Sequence, residues 1–189
     1  MTVQRGFKSG CEQASRRYRK RLGVSLQDPL PYRQLAHELD VLLWTPADVP
    51  GLDEDTVRQL AVTGAGSWSA VTVRLDGKHV VVVNSAENEN RIPRNVVHEL
   101  AHIILGHSAS RVDISEDGHL WLSTYGQDQE QEADWLSAAL LLPRDGLLPA
   151  WARHRNVRAV ATQFRVSHEL ARWRLNMTGV VRQVSVHRR

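Results

Sequence analysis

The tripeptide His-Glu-Leu occurs at His37, His98 and His168, and only one of the three has the spacing to hold a metal ion. Two histidines four residues apart on a helix lie on one face, where their imidazoles can converge on a single cation. His98-Glu99-Leu100-Ala101-His102 completes that pattern, whereas the second position is Val41 after His37 and Arg172 after His168. Glu99, one residue beyond the first His, is placed to reach a metal-bound water without itself binding the metal. The chemistry such a pattern supports is zinc-assisted hydrolysis of a peptide bond, with His98 and His102 as ligands and Glu99 as general base.

Two histidines do not hold a catalytic zinc; a third protein ligand is expected, leaving the fourth position to water. In the elongated pattern HExxHxxGxxH the third His would fall at Ser108 and the Gly at Leu105, so Gly106-His107 is out of step. A carboxylate from a later helix is the alternative. The segment QDQEQEADWLSAALLLP supplies Asp128, Glu130, Glu132 and Asp134. Glu130, Asp134 and Ser137 share a helical face, so Glu130 is the preferred third ligand and Asp134 a carboxylate that orients a histidine from behind. Glu132 is the alternative ligand. A donor that stabilises the oxyanion should also exist, and Tyr125, His107 and His119 are the candidates, lying in or beside the loop between the two acid- and histidine-bearing segments.

The elements that must position these groups are legible in outline. Pro93 and Asn95 offer a helix start and Gly106 a stop, so RNVVHELAHIIL reads as a helix. Residues 127–142 read as a second helix, ended by Pro143, with a loop of residues 108–126 between them. Upstream, WSAVTVRLDGKHVVVVN holds two β-branched runs joined around Asp76-Gly77, a strong hairpin signal. Residues 6–21 suit a basic helix with Phe7, Ala14, Tyr18 and Leu22 inward, residues 32–40 a short helix, VLLWTP a strand stopped by Pro46, and residues 53–62 another helix. The tail VRAVATQFRVSHELARWRLNMTG reads as helix, tight turn, helix, with Ser167 as cap. Arg165 stands at the turn position that favours Gly, where a left-handed conformation would cost about 1 kcal/mol. The expected architecture is α+β, mostly helical around a small twisted β-sheet, with residues 1–145, including the basic N-terminal helix, as one domain and 146–189 as a helical, helix-turn-helix-like extension packed on it.

Composition narrows the setting. The single cysteine, Cys11, excludes an intramolecular disulfide and a cysteine-rich metal site, and reads as a small residue on a helix rather than a nucleophile. The amino terminus has no apolar run of the kind a secretory signal needs, and no run approaches membrane-spanning length, so a soluble, cytoplasmic protein without a membrane partner is expected. The net charge of +3 conceals an asymmetry: residues 5–21 carry +6, residues 144–189 carry +8, and residues 22–143 carry −11. Basic ends around an acidic body suit either solvated helix faces or weak DNA contact through the termini, with Arg158, Arg165, Arg172 and Arg174 as candidates.

NVVHELAHIILGH followed by EQEADWLSAALLLPRD resembles the ImmA/IrrE family of bacterial metallo-endopeptidases, in which an HExxH helix is followed by an acidic helix running into LLxP. RGFKSGCEQASRRYRKRLGV, WSAVTV and VATQFRVSHELARWRLNMTGV are less specifically similar to members associated with phage-like or mobile-element regulation. The resemblance implies a zincin-like, gluzincin-type fold with one Zn²⁺ per chain held by His98, His102 and Glu130, and Glu99 as general base. It also implies a protein substrate, a helix-turn-helix transcriptional repressor whose cleavage derepresses genes. Arg94-Asn95 departs from the aromatic-Thr pair common in the family before the motif, although Asn can still cap a helix.

Overall fold

The computed structural model describes residues 5–64, 66–75, 77–89, 91–108, 113–114, 120–121 and 125–186. His119 and Asp76 lie outside the described residues. The observed class is α+β, with helices around a small mixed sheet.

The valine run of β3 (Lys78–Val83) takes the centre of a three-stranded sheet. Strand β2 (Ala70–Leu75) pairs with it antiparallel from Ala70 opposite Val83 to Leu75 opposite Lys78, leaving residues 76 and 77 as the connection. Gly77 has φ 81°, the conformation a two-residue hairpin demands and that Gly meets without a Cβ penalty. On the other side β1 (Val41–Trp44) runs parallel to β3, a pairing the sequence did not disclose. A central strand covered on both faces explains why its apolar residues do not alternate: Val80, Val81, Val82 and Val83 are all buried. Helix α1 (Phe7–Arg21) precedes the short helix α2 (Tyr32–Glu38), which packs on β1. Helix α3 (Glu54–Arg58) continues as a π-helical turn, Gln59–Thr63, where one unbroken helix was expected.

Helix α4 (Ile92–Leu105) begins three residues before Asn95, with Pro93 in its first turn, and ends at Gly106 in the left-handed conformation. It lies on β2 and β3 and packs most extensively on α5 (Gln127–Leu141). Val96, Val97, Leu100 and Ala101 from α4 meet Ala133, Leu136 and Leu140 from α5 in one core. Within the expected loop, Asp113–Ile114 (β4) and Leu120–Trp121 (β5) form a small antiparallel pair.

The inner face of α1 holds the expected Phe7, Ala14, Tyr18 and Leu22 against the core and buries further residues besides. Cys11, Ser15, Tyr18 and Arg19 are buried, while Phe7, Ala14 and Leu22 are only partly covered. Arg19 is fully buried and donates to the carbonyls of Leu140 (3.0 and 3.2 Å), Leu141 (3.2 Å), Ser25 (2.8 Å) and Asp28 (2.9 Å). Arg174, also buried, donates to the Leu142 carbonyl at 3.1 Å and to Glu12. The last carbonyls of a helix have no partner inside it; two guanidiniums supply them here and tie α1 to the end of α5. Arg174 is therefore structural and is withdrawn from the candidate phosphate contacts. Arg19→Met would strip the buried Leu140 and Leu141 carbonyls of their donor and is expected to cost at least about 2 kcal/mol, read as a lower urea midpoint at unchanged m-value. Burial pushes the Cys11 thiol up to about 12, which leaves it protonated and a poor nucleophile.

After α5 come α6 (Arg144–His154), α7 (Val157–Phe164), α8 (His168–Thr178) and α9 (Val180–Val186). The sequence hid α6 because Gly146 and Pro149 lie inside it. The glycine has a reason: a Cβ there would sit 1.9 Å from the Leu26 carbonyl oxygen. Between α7 and α8, Arg165 adopts φ 53°, ψ 50°, and the Ser167 hydroxyl caps α8 by accepting from Leu170 N–H at 3.1 Å. Arg165→Gly relieves the left-handed strain and is expected to raise stability by a few tenths to about 1 kcal/mol, measured by chemical denaturation. No helix among the described residues is long and apolar enough to cross a membrane.

Candidate metal centre

Helix α4 presents His98 and His102 on the face turned to α5, and α5 presents Glu130 from its first turn. His98 Nε2 and His102 Nε2 are 3.1 Å apart. Glu130 Oε2 lies 3.1 Å from His98 Nε2, and its Oε1 lies 3.6 Å from His102 Nε2. One ligand atom from each residue falls within 4.8 Å of the others, near enough to hold one metal ion. The four-residue step on α4 is sufficient to align the two imidazoles; bringing Glu130 to them requires the α4–α5 packing described above.

Each member has a distinct environment. His102 is 1% exposed, and burial, reinforced by the neighbouring His98 and His107, lowers its ring to about 3. It is thus neutral at ordinary pH, the form in which imidazole binds metal. Burial also pulls His98 downward, but Asp134, Glu99 and Glu130 outweigh it and raise the ring overall. Asp134 Oδ1 stands 3.2 Å from His98 Nδ1, and the hydrogen bond from His98 holds its carboxyl below the usual range. Asp134 thus sits directly behind one member of the trio, one turn along α5 from Glu130.

Glu99 is not one of the converging ligands; its Oε2 accepts a 2.6 Å hydrogen bond from the Thr72 hydroxyl of β2. Burial raises its carboxyl, with Thr72 and His98 partly offsetting the shift. A carboxylate raised toward neutrality is a better proton acceptor at working pH than an exposed one. Thr72 was not singled out by the sequence: one hydroxyl in the alternating strand AVTVRL carries no signal until β2 is laid beside α4.

Tyr125 stacks on His102, ring centroids 3.6 Å apart and planes 16° from parallel. Burial, then the carboxylates of Glu99 and Glu130, push its phenol up to about 12, so it keeps its proton and can donate. His107 takes a different place. Its Nδ1 is 3.0 Å from His102 Nδ1, on the side of the ring away from Glu130, and its Nε2 is 3.1 Å from Glu132 Oε2. Glu132 thus reaches His107 rather than the trio. Asp128 and the exposed arginines Arg158, Arg165 and Arg172 are not brought to the trio.

The site thus combines three convergent ligand atoms, a raised carboxylate bonded to Thr72 and a protonated phenol whose ring stacks on His102. No curated protein and no solved structure matches the chain at a significant level. The family model of the IrrE N-terminal-like domain, a peptidase domain, matches residues 53–176, which include β2, β3, α4, α5 and every member of the centre. With more than half of its length covered, the chain belongs to the ImmA/IrrE peptidase family.

Proposed function

We propose that this chain is a zinc-dependent endopeptidase and that its substrate is a helix-turn-helix transcriptional repressor, whose cleavage derepresses genes. The observation that carries the catalytic reading is the division of labour on one helix: His98 and His102 converge with Glu130, while Glu99 is held apart by Thr72 at 2.6 Å. A site built only to hold a metal has no use for that carboxylate.

Two imidazole nitrogens and one carboxylate oxygen form a donor set that catalytic zinc sites use, with a position left open, and the neutral, buried His102 suits it. His98, His102 and Glu130 would hold the ion. When bound, zinc supplies Lewis-acid polarisation of the scissile carbonyl and activates water toward attack. The remaining steps belong to the chain. Glu99 accepts the proton of the attacking water and returns it to the leaving amine. Tyr125, protonated and stacked on His102, would donate to the oxyanion. Asp134 fixes the His98 ring by accepting from its Nδ1–H. Thr72 keeps Glu99 aimed across the gap between β2 and α4.

The repressor as substrate is supported by the motifs' resemblance to members that act in mobile-element regulation. The test is to measure metal by mass spectrometry on purified protein and to incubate the zinc-loaded chain with a helix-turn-helix repressor encoded near it. The expected result is about one zinc per chain and a discrete pair of fragments, abolished by a chelator and restored by zinc. Zinc-loaded protein that cleaves neither that repressor nor an unfolded test protein would overturn the peptidase reading. Cleavage of the test protein alone would overturn only the choice of substrate.

A further inference from the structure

We propose that His107 and Glu132 are positioning residues that hold His102 for metal through a two-bond relay, Glu132 to His107 to His102. The proposal rests on the metal reading above and adds roles for two residues the ligand set leaves over.

The relay starts from a backbone device. Gly106, at φ 68°, turns the chain back after α4. The His107 N–H then donates to the His102 carbonyl at 3.0 Å, a six-residue closure typical of such helix ends. That turn lays the His107 ring beside the ring of the same residue, 5.1 Å between centroids and 67° between planes. The His107 side chain is only 7% exposed, so its nitrogens must find partners within the protein.

One arrangement of protons satisfies every atom. His102 turns Nε2 toward His98 and Glu130, so its ring proton resides on Nδ1 and needs an acceptor. His107 Nδ1, 3.0 Å away, is that acceptor. His107 must then carry its own proton on Nε2, which donates to Glu132 Oε2 at 3.1 Å. The two imidazoles of the trio are thereby backed in different ways: His98 directly by the carboxylate of Asp134, and His102 through an interposed imidazole. Both backing carboxylates come from α5, two residues apart and following Glu130, so one acidic helix supplies the ligand carboxylate and the support of both imidazoles. Glu132, the alternative third ligand, is committed to His107.

Partners behind a metal-ligating histidine typically change metal affinity about 10–100-fold. The test is the zinc dissociation constant, by competition with a chelating indicator, for wild type, His107→Phe, His107→Asn, Glu132→Gln and Glu130→Gln, together with melting temperatures of the metal-free proteins. His107→Phe keeps a ring but removes the acceptor, and zinc affinity is expected to fall about 10–100-fold. His107→Asn places an oxygen where Nδ1 stood and is expected to recover most of that loss. Glu132→Gln retains an acceptor without the charge and is expected to bind zinc several-fold more weakly, with its metal-free melting temperature unchanged. The absorption bands of the cobalt-substituted protein should shift in His107→Phe and return in His107→Asn. Wild-type affinity in both His107→Phe and Glu132→Gln would overturn the relay while leaving the metal site standing. Loss of zinc in Glu132→Gln with retention in Glu130→Gln would overturn it too, by making Glu132 the ligand. A wild-type chain that takes up no zinc would overturn the metal reading and the relay together.

Discussion

Glu99→Gln should bind zinc as wild type does and cleave its substrate about 10²–10⁴-fold more slowly. The substitution keeps the size of the side chain and a carbonyl oxygen that can still accept from the Thr72 hydroxyl, so the gap between β2 and α4 need not change. What it removes is the capacity to take a proton. Because Glu99 is not one of the converging ligands His98, His102 and Glu130 and is bonded to Thr72 instead, affinity for metal should move little. The pairing of measurements matters: metal content together with single-turnover cleavage of the same preparation. A Glu99→Gln protein that retains zinc and cleaves at the wild-type rate would remove Glu99 from the mechanism. One that loses zinc would show that Glu99 supports the metal rather than the water.

His102→Ala and Glu130→Ala should show the opposite signature, in which metal and activity disappear together. Removing a residue behind a ligand already weakens binding about 10–100-fold, so removing the ligand itself should cost at least about 10²-fold in zinc affinity. The two variants should differ in stability of the metal-free protein. His102 is buried among α4, Tyr125 and His107, so truncation leaves a cavity and strands the His107 ring. Glu130 is 44% exposed at its side chain, and its truncation should leave the melting temperature of the metal-free protein nearly unchanged. Equal zinc content in Glu130→Ala and wild type would exclude Glu130 as the third ligand.

Taken residue by residue, the reach of the sequence follows the range of the interaction. His98 and His102 face one way because an α-helix repeats every 3.6 residues, and Glu130 and Asp134 share a face for the same reason; these relations are written in spacing alone. So are the hairpin around Gly77, the helix stop at Gly106 and the left-handed strain at Arg165, since each depends on the backbone preference of one or two residues.

What the spacing did not contain is how separate elements meet. The Thr72 hydroxyl reaches Glu99 across 27 positions of chain, and Glu132 reaches His107 across 25. The parallel pairing of β1 with β3 joins strands that have no common turn to specify their register. Arg19 looked like one more cation on a basic helix, and its charge gave no hint that it caps the end of α5 from 121 residues away. Side-chain periodicity assigns a residue to a face; only burial of that face against another element decides whether it meets solvent, a carbonyl or a metal ligand. The sequence by itself therefore determined the ligand-bearing helices and the order of their faces. The tertiary structure decided that α5 lies against α4, because the fit of Val97, Leu100, Leu136 and their neighbours is a property of the packed core and not of any local stretch.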